Sequence, residues 1–320
     1  FTGGLVNLTI KSGTNEFSGN AYYDTVQDSF IGDKFDGNQT FDPGPVDDEE
    51  YGFTLGGPII QDKLFFHVAY EETDDPRFLA RGYAGSGNGE ERSWLSEADY
   101  NRIVDIAENI YGYDPGGLPG DGTQVNETYL IRFDWNITDN HDLAVIYNTF
   151  DGPQLRSSDS DPNEFEFPNH FYVKGAEMET TTLQLNSQWT DNLSTEIYFS
   201  MAEMQDSQVT VGDPDFADMQ ISVGGRTGTV YLGADDSRQA NNLSTESNYL
   251  KLSADLFLGN QIITVGYDRE DLEIFNIFLQ HSRGGEYDFF DNSSNNDPSC
   301  AALSAQERFD GVNGCSPSGI

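Results

Sequence analysis

The chain has 320 residues and carries 55 acidic against 16 basic side chains, a formal net charge of −39. That balance argues against nucleic acid, which needs clustered Lys and Arg, and against docking on an anionic membrane surface, but not against spanning a membrane with the acids in loops or a wet lumen. Only 36% of residues are hydrophobic, yet aromatics reach 13% beside 33 glycines, and no run approaches the roughly 18 apolar residues of a transmembrane helix, so a β protein with wet surfaces is expected.

At the N-terminus, residues 5–10 read as a short strand after Gly3-Gly4, and Ser12-Gly13-Thr14-Asn15 as its turn. Phe17, Gly19, Ala21 and Tyr23 then alternate with Glu16, Ser18, Asn20 and Asp24, the period-two signature of a strand with one apolar and one polar face. Residues 27–49 are polar, hold two prolines and read as loop. Tyr51, Phe53 and Leu55 resume the alternation. Pro58 and Gln61-Asp62-Lys63 make a tight connection, and Leu64, Phe66, Val68 and Tyr70 return.

Residues 73–124 form a long connection with one helix over 96–110. Ser96 caps it, Asp99 lies three residues on, Ile103, Ile106, Ala107 and Ile110 share a face, and Gly112 ends it. Alternation returns over 129–137, turns at Thr138-Asp139-Asn140 and runs back over 143–147. An acidic loop with three prolines, 151–173, leads to a strand over 181–189, a turn at Thr190-Asp191-Asn192 and a strand over 193–201. Residues 208–242 are a further long loop with a small hairpin around Gly224-Gly225. Strands over 250–256 and 263–279 flank a Gly259-Asn260 turn, and the rest reads as loop.

About nine long strands result, with short and long connections in strict alternation, which places every long loop at one end. The strands run about 10 residues or more, against a usual mode of roughly 5–6 in globular sheets. Trp135 and Trp189 precede the Asp139–Asn140 and Asp191–Asn192 turns, and Phe257 precedes Asn260, as an interfacial aromatic girdle requires. A soluble antiparallel sandwich also alternates, but these features favour a membrane barrel. Spanning strands must then close on themselves, because unpaired backbone groups in lipid cost several kcal/mol each.

The run from Gly3 to Phe17, with Asn7, Lys11, Ser12, Gly13, Thr14 and Asn15 inside it, resembles the end of the plug and the first barrel strand of TonB-dependent outer-membrane receptors. Gly56-Gly57-Pro58-Ile59-Ile60-Gln61-Asp62-Lys63-Leu64-Phe65-Phe66 is similar to the next hairpin of the Oar-like subgroup, as are Arg238-Gln239-Ala240-Asn241-Asn242-Leu243 and the blocks from Val265 to Phe278. The resemblance implies a plugged 22-stranded barrel. It implies import of an unidentified extracellular ligand, powered by the inner-membrane TonB complex through a region upstream of this chain. Residues 1–14 would then be the end of the plug and 15–320 the N-terminal part of an all-β transmembrane antiparallel barrel in a Gram-negative outer membrane. Its lipid would be a partner, the short turns at Asp62, Asp139, Asp191 and Asn260 periplasmic, and the chain a piece of a longer protein. An adhesion role for the long acidic loops, without transport, is the alternative.

Enzyme chemistry is not expected. His67, His141, His170 and His281 are scattered without a His-x-x-His or His-Glu-x-x-His spacing, and no phosphate loop or Gly-x-Ser-x-Gly occurs. No cofactor is called for. The acidic run over 157–164 is a candidate calcium loop, because hard cations take clustered carboxylates; solvated, mutually repelling loop surface is the other reading. Cys300 and Cys315 would form a disulfide in an oxidising compartment and remain free thiols otherwise.

Overall fold

The structure, a computed structural model, describes residues 9–289 apart from 33, 36, 38, 41–45 and 224–226. Gly3, Gly4 and Asn7, the Cys300–Cys315 pair and the Gly224-Gly225 turn lie outside the described residues.

Nine long strands form one wall: β1 (Ser18–Gln27), β2 (Asp47–Ile60), β3 (Leu64–Arg77), β4 (Gly122–Thr138), β5 (His141–Asp151), β6 (Glu177–Thr190), β7 (Leu193–Gln205), β8 (Asn241–Leu258) and β9 (Gln261–Phe278). Each pairs antiparallel with its sequence neighbour, so the wall is an all-next-neighbour meander. It does not close: β1 and β9 stand at its two edges among the described residues.

The strand count agrees with the sequence reading, while several boundaries differ. β2 begins at Asp47 and β8 at Asn241, both inside expected loops. Their polar ends still complete ladders, Asp47 with Gln27 and Asn241 with Phe278, because backbone pairing makes no demand on side-chain polarity. Pro58 lies within β2, at a bulge opposite Phe65, and not in the turn. It is tolerated because β1 starts opposite Gly56, leaving no ladder for a Pro58 N–H to join on that side. Thr9 and Ile10, expected to end a strand, are not in one.

Registers sort the side chains onto two faces, because residues directly opposite across a ladder point the same way. Phe53, Val68, Ile131, Phe133, Val145, Leu183, Ile197, Leu252 and Tyr267 share the apolar face. Toward the long-loop end that face gives way to Glu179, Glu203, Glu246 and Glu273, aligned across β6, β7, β8 and β9. Carboxylates directly opposite one another repel, so this row fits water or headgroups and bounds the apolar band.

The buried core of the chain lies beyond the long-loop end. Leu95, Tyr100, Ile103, Ala107, Phe165, Phe167, Met219, Ile221, Val230 and Leu232 form one cluster. They come from three different connections, gathered by a four-stranded sheet in the order 164–166, 228–232, 218–223, 286–289. Against it packs α1 (Glu97–Asn109), the helix expected from sequence. The long connections, read from sequence as loop apart from α1 and one small hairpin, therefore fold into a compact cap, and that hairpin is the antiparallel pair 218–223 and 228–232. Ser96 Oγ accepts from the Asp99 backbone N–H at 3.1 Å, satisfying one orphan donor of α1. Ser96→Ala is expected to lower cap stability by about 1 kcal/mol, read as a lower denaturant midpoint of the cap; an unchanged midpoint would show that the cap bond contributes nothing.

Candidate functional site

The polar face of the wall is laced by hydrogen bonds. Arg132 forms a two-pronged pair with Asp134, Lys251 Nζ lies 2.7 Å from Glu196, and Gln184 Nε2 donates to the same carboxylate at 3.1 Å. Asn186 donates to Asp142 at 2.9 Å. A charge-bearing face of this kind suits water or a polar filling, not lipid.

At the short-turn end the N-terminal segment lies on this face. Arg132 Nη1 donates to the Ile10 carbonyl at 2.8 Å, beside a buried His67. Gly13 runs so close to the wall that a Cβ there would stand 2.3 Å from the Phe66 carbonyl oxygen. Only glycine permits that approach. Asn15 and Asp62 then bond reciprocally: Asn15 Nδ2 donates to Asp62 Oδ1 at 2.6 Å, and the Asp62 N–H donates to Asn15 Oδ1 at 2.8 Å. Asn136 Nδ2 reaches the Asp62 carbonyl at 3.0 Å. The structure thus brings together Gly13, Asn15 and Asp62, while Lys11, Ser12 and Thr14 stay exposed along the same segment. His67 and Arg132 were missed from the sequence; their only signal was position on the polar side of their strands.

Arg132→Gln is expected to free this segment at a cost of about 1.5–3 kcal/mol, the usual worth of a hydrogen bond to a charged group. Hydrogen exchange at residues 10–15 would accelerate accordingly; unchanged exchange there would sink the idea that Arg132 anchors it.

The short turns share a device. The Lys63, Asn140 and Asn192 carbonyls accept from the Asn136, Gln188 and Phe257 backbone N–H groups at 2.7, 2.8 and 2.8 Å, each on a neighbouring strand. Asp62 adopts φ +61° and Gly259 φ +61°, left-handed positions that Asp tolerates and Gly favours. Asp139, Asp191 and Asn260 sit exposed in their turns.

Trp135 and Trp189 stand exposed on the apolar face near these turns, and Trp189 Nε1 donates to Thr195 at 2.8 Å. Phe257 departs from the expected girdle. Leu256 pairs with Leu193 on the apolar face, so Phe257, one residue on, turns to the polar face with Lys251 and Asp255. Alternation takes precedence over height along the strand. A second aromatic row, not singled out from sequence, lies on the apolar face toward the long loops: Tyr23, Tyr51, Tyr70 and Tyr129. The Tyr70 and Tyr129 rings are 4.7 Å apart, Tyr23 Oη donates to Glu49 at 2.7 Å, and Tyr70 Oη donates to Glu72. Rings below and carboxylates above are what a membrane–water boundary selects.

Residues 9–79 match the outer membrane beta barrel domain. The outer membrane transporter YddB from Escherichia coli has a similar structure, with a TM-score of 0.51 over 86% of this chain and 33% of that chain, at 12% identity. The siderophore receptor PirA from Acinetobacter baumannii aligns over 82% of this chain and 31% of that one, at 13% identity and a TM-score of 0.43. Comparison with curated proteins finds no match. The chain spans about a third of the length of the two structures. Its described residues form an outer-membrane β-barrel wall, open at both edges, with a fold like that of YddB.

Proposed function

We propose that the chain forms the plug junction, wall and outward cap of a TonB-dependent importer, a reading that resemblance to the Oar-like subgroup supports. The docking of residues 10–15 on the polar face carries it. A plug must leave the lumen and become the first wall strand, and a segment anchored through Ile10, Gly13 and Asn15 immediately before β1 is placed for that hand-off. In this reading residues 1–14 end the plug, the polar face lines the lumen, the short turns face the periplasm, and the cap meets the ligand outside. The TonB complex would pull from the periplasmic side through chain upstream of Phe1.

The test is growth on a panel of limiting nutrients in strains lacking either this gene or the inner-membrane energising complex. Import predicts that at least one nutrient fails to support both strains. Surface attachment lost without the gene, but kept without the complex and with growth unimpaired on every nutrient, would favour adhesion instead.

A further inference from the structure

Inside the cap, five ionisable side chains converge from separate segments. Asp159 lies in the run before strand 164–166, and Glu166 ends that strand. His170 closes the turn Pro168–His170, Asp218 opens strand Asp218–Val223, and Asp235 caps the turn Asp236–Arg238. His170 is fully buried, while Glu166, Asp218 and Asp235 are 3%, 2% and 3% exposed. Three buried carboxyl groups around one buried imidazole, with Asp159 half-buried beside them, are an expensive arrangement.

Two features point beyond an ion pair. Glu166 Oε2 and Asp218 Oδ1 are buried and accept no hydrogen bond, and Asp218 Oδ1 lies 3.9 Å from His170 Nδ1. Buried polar atoms left unsatisfied call for a missing partner such as an ion or a water. The imidazole is also posed as a ligand. Its Nδ1 lies 3.1 Å from the Gly233 carbonyl, which fixes a proton on Nδ1 and aims Nε2 at Asp159 Oδ2, 3.3 Å away. Gly233 can present that carbonyl because it adopts φ +92° in a space where a Cβ would stand 1.8 Å from Ala217 O. Asp159, His170 and Asp235 each bring one donor atom, and the three atoms lie within 4.8 Å of one another. Two donors bound to one tetrahedral zinc stand about 3.3 Å apart, given bonds near 2.0–2.1 Å.

We propose that Asp159, His170 and Asp235 bind a divalent transition-metal cation of the zinc or manganese class, with Glu166 as a further donor and the Gly233 carbonyl behind the imidazole holding its orientation. One nitrogen among carboxylate oxygens selects this class over calcium and magnesium, which take oxygen alone. A backbone carbonyl that accepts from the far nitrogen of a ligating histidine fixes its tautomer and orientation, and Gly233 supplies it here.

The experiment is metal titration of the full-length protein in detergent, after chelator treatment, against a competing chromophoric chelator, with zinc, manganese and calcium in separate arms. One zinc or manganese per chain is expected to bind, and cobalt in its place to give a visible spectrum. Asp159→Asn and His170→Gln are expected to weaken it at least ~100-fold, more than the roughly 10–100-fold usual for losing a group that only supports a ligand. His281→Ala, which removes the exposed His281–Asp236–Glu286 group nearby, should change nothing. Asp159 is partly exposed and its asparagine keeps the shape, so that variant reports even where His170→Gln fails to fold. Absence of tight zinc or manganese, calcium in their place, or affinity unmoved by Asp159→Asn overturns the site.

Discussion

Phe165→Ala is expected to lower the stability of the cap by about 3–5 kcal/mol, the range for truncating a buried Phe. Phe165 has no exposed surface, and its ring meets Phe167 edge-on at 5.3 Å and Tyr100 at 5.9 Å. Tyr100 belongs to α1 and Phe167 to the neighbouring connection, so the cavity opens at the point where two connections meet. Removing the ring forfeits its own burial and the edge-to-face contacts together. Denaturant unfolding followed by cap tryptophan fluorescence, Trp94 being packed against this core, reads the loss. The wall should retain heat-modifiable migration in detergent, because its ladders do not involve Phe165. A fall below about 1 kcal/mol would mean the cap is not a packed core at all.

Leu183→Arg and Gln184→Arg should separate by roughly 2–4 kcal/mol although they are adjacent, the price of a cation on the lipid side near mid-membrane. Leu183 pairs with Val145 and Phe199 on the apolar face, well short of the Glu179 row. Gln184 points the opposite way and already contacts Glu196, so an arginine there gains a carboxylate partner in a wet setting. Refolding into vesicles measures the difference. Equal penalties at the two positions would contradict the assignment of the apolar face to lipid.

The wall was legible in the sequence because its signal is repeated. Each long strand spells the same alternation, and Asp62, Asp139, Asp191 and Asn260 punctuate it in phase. Helix α1 was legible for the same reason, since 13 residues are enough to display a face and a cap. Of the cap sheet only the hairpin on either side of Gly224-Gly225 was legible, and it is the antiparallel pair 218–223 and 228–232; the strands at 164–166 and 286–289 are too short to show a period, and their partners come from distant connections. His170 was set aside on spacing. Its neighbours Asp218 and Asp235 lie 48 and 65 positions on and are delivered by the fold. The segment around Gly13 was read as a turn, while its close approach to the wall and its contact with Arg132 depend on strands far along the chain and lie beyond any local pattern.

Two of the pairings in the cap sheet are parallel: 164–166 with 228–232, and 218–223 with 286–289. Parallel neighbours require a long crossover, and here the crossovers are wall hairpins. The β6–β7 hairpin is threaded between the first pair, and β8–β9 between the second. Cap and wall are therefore interlaced along the chain, not strung as separable domains. The cap cannot be excised as one continuous segment, and its sheet is complete only with the strand that follows β9. Bringing its separate segments together carries a loop-closure cost, which the wall ladders lower by holding the ends of those connections close. A complete cap sheet is accordingly a record that the two wall hairpins have folded back, since each lies between a pair of its strands.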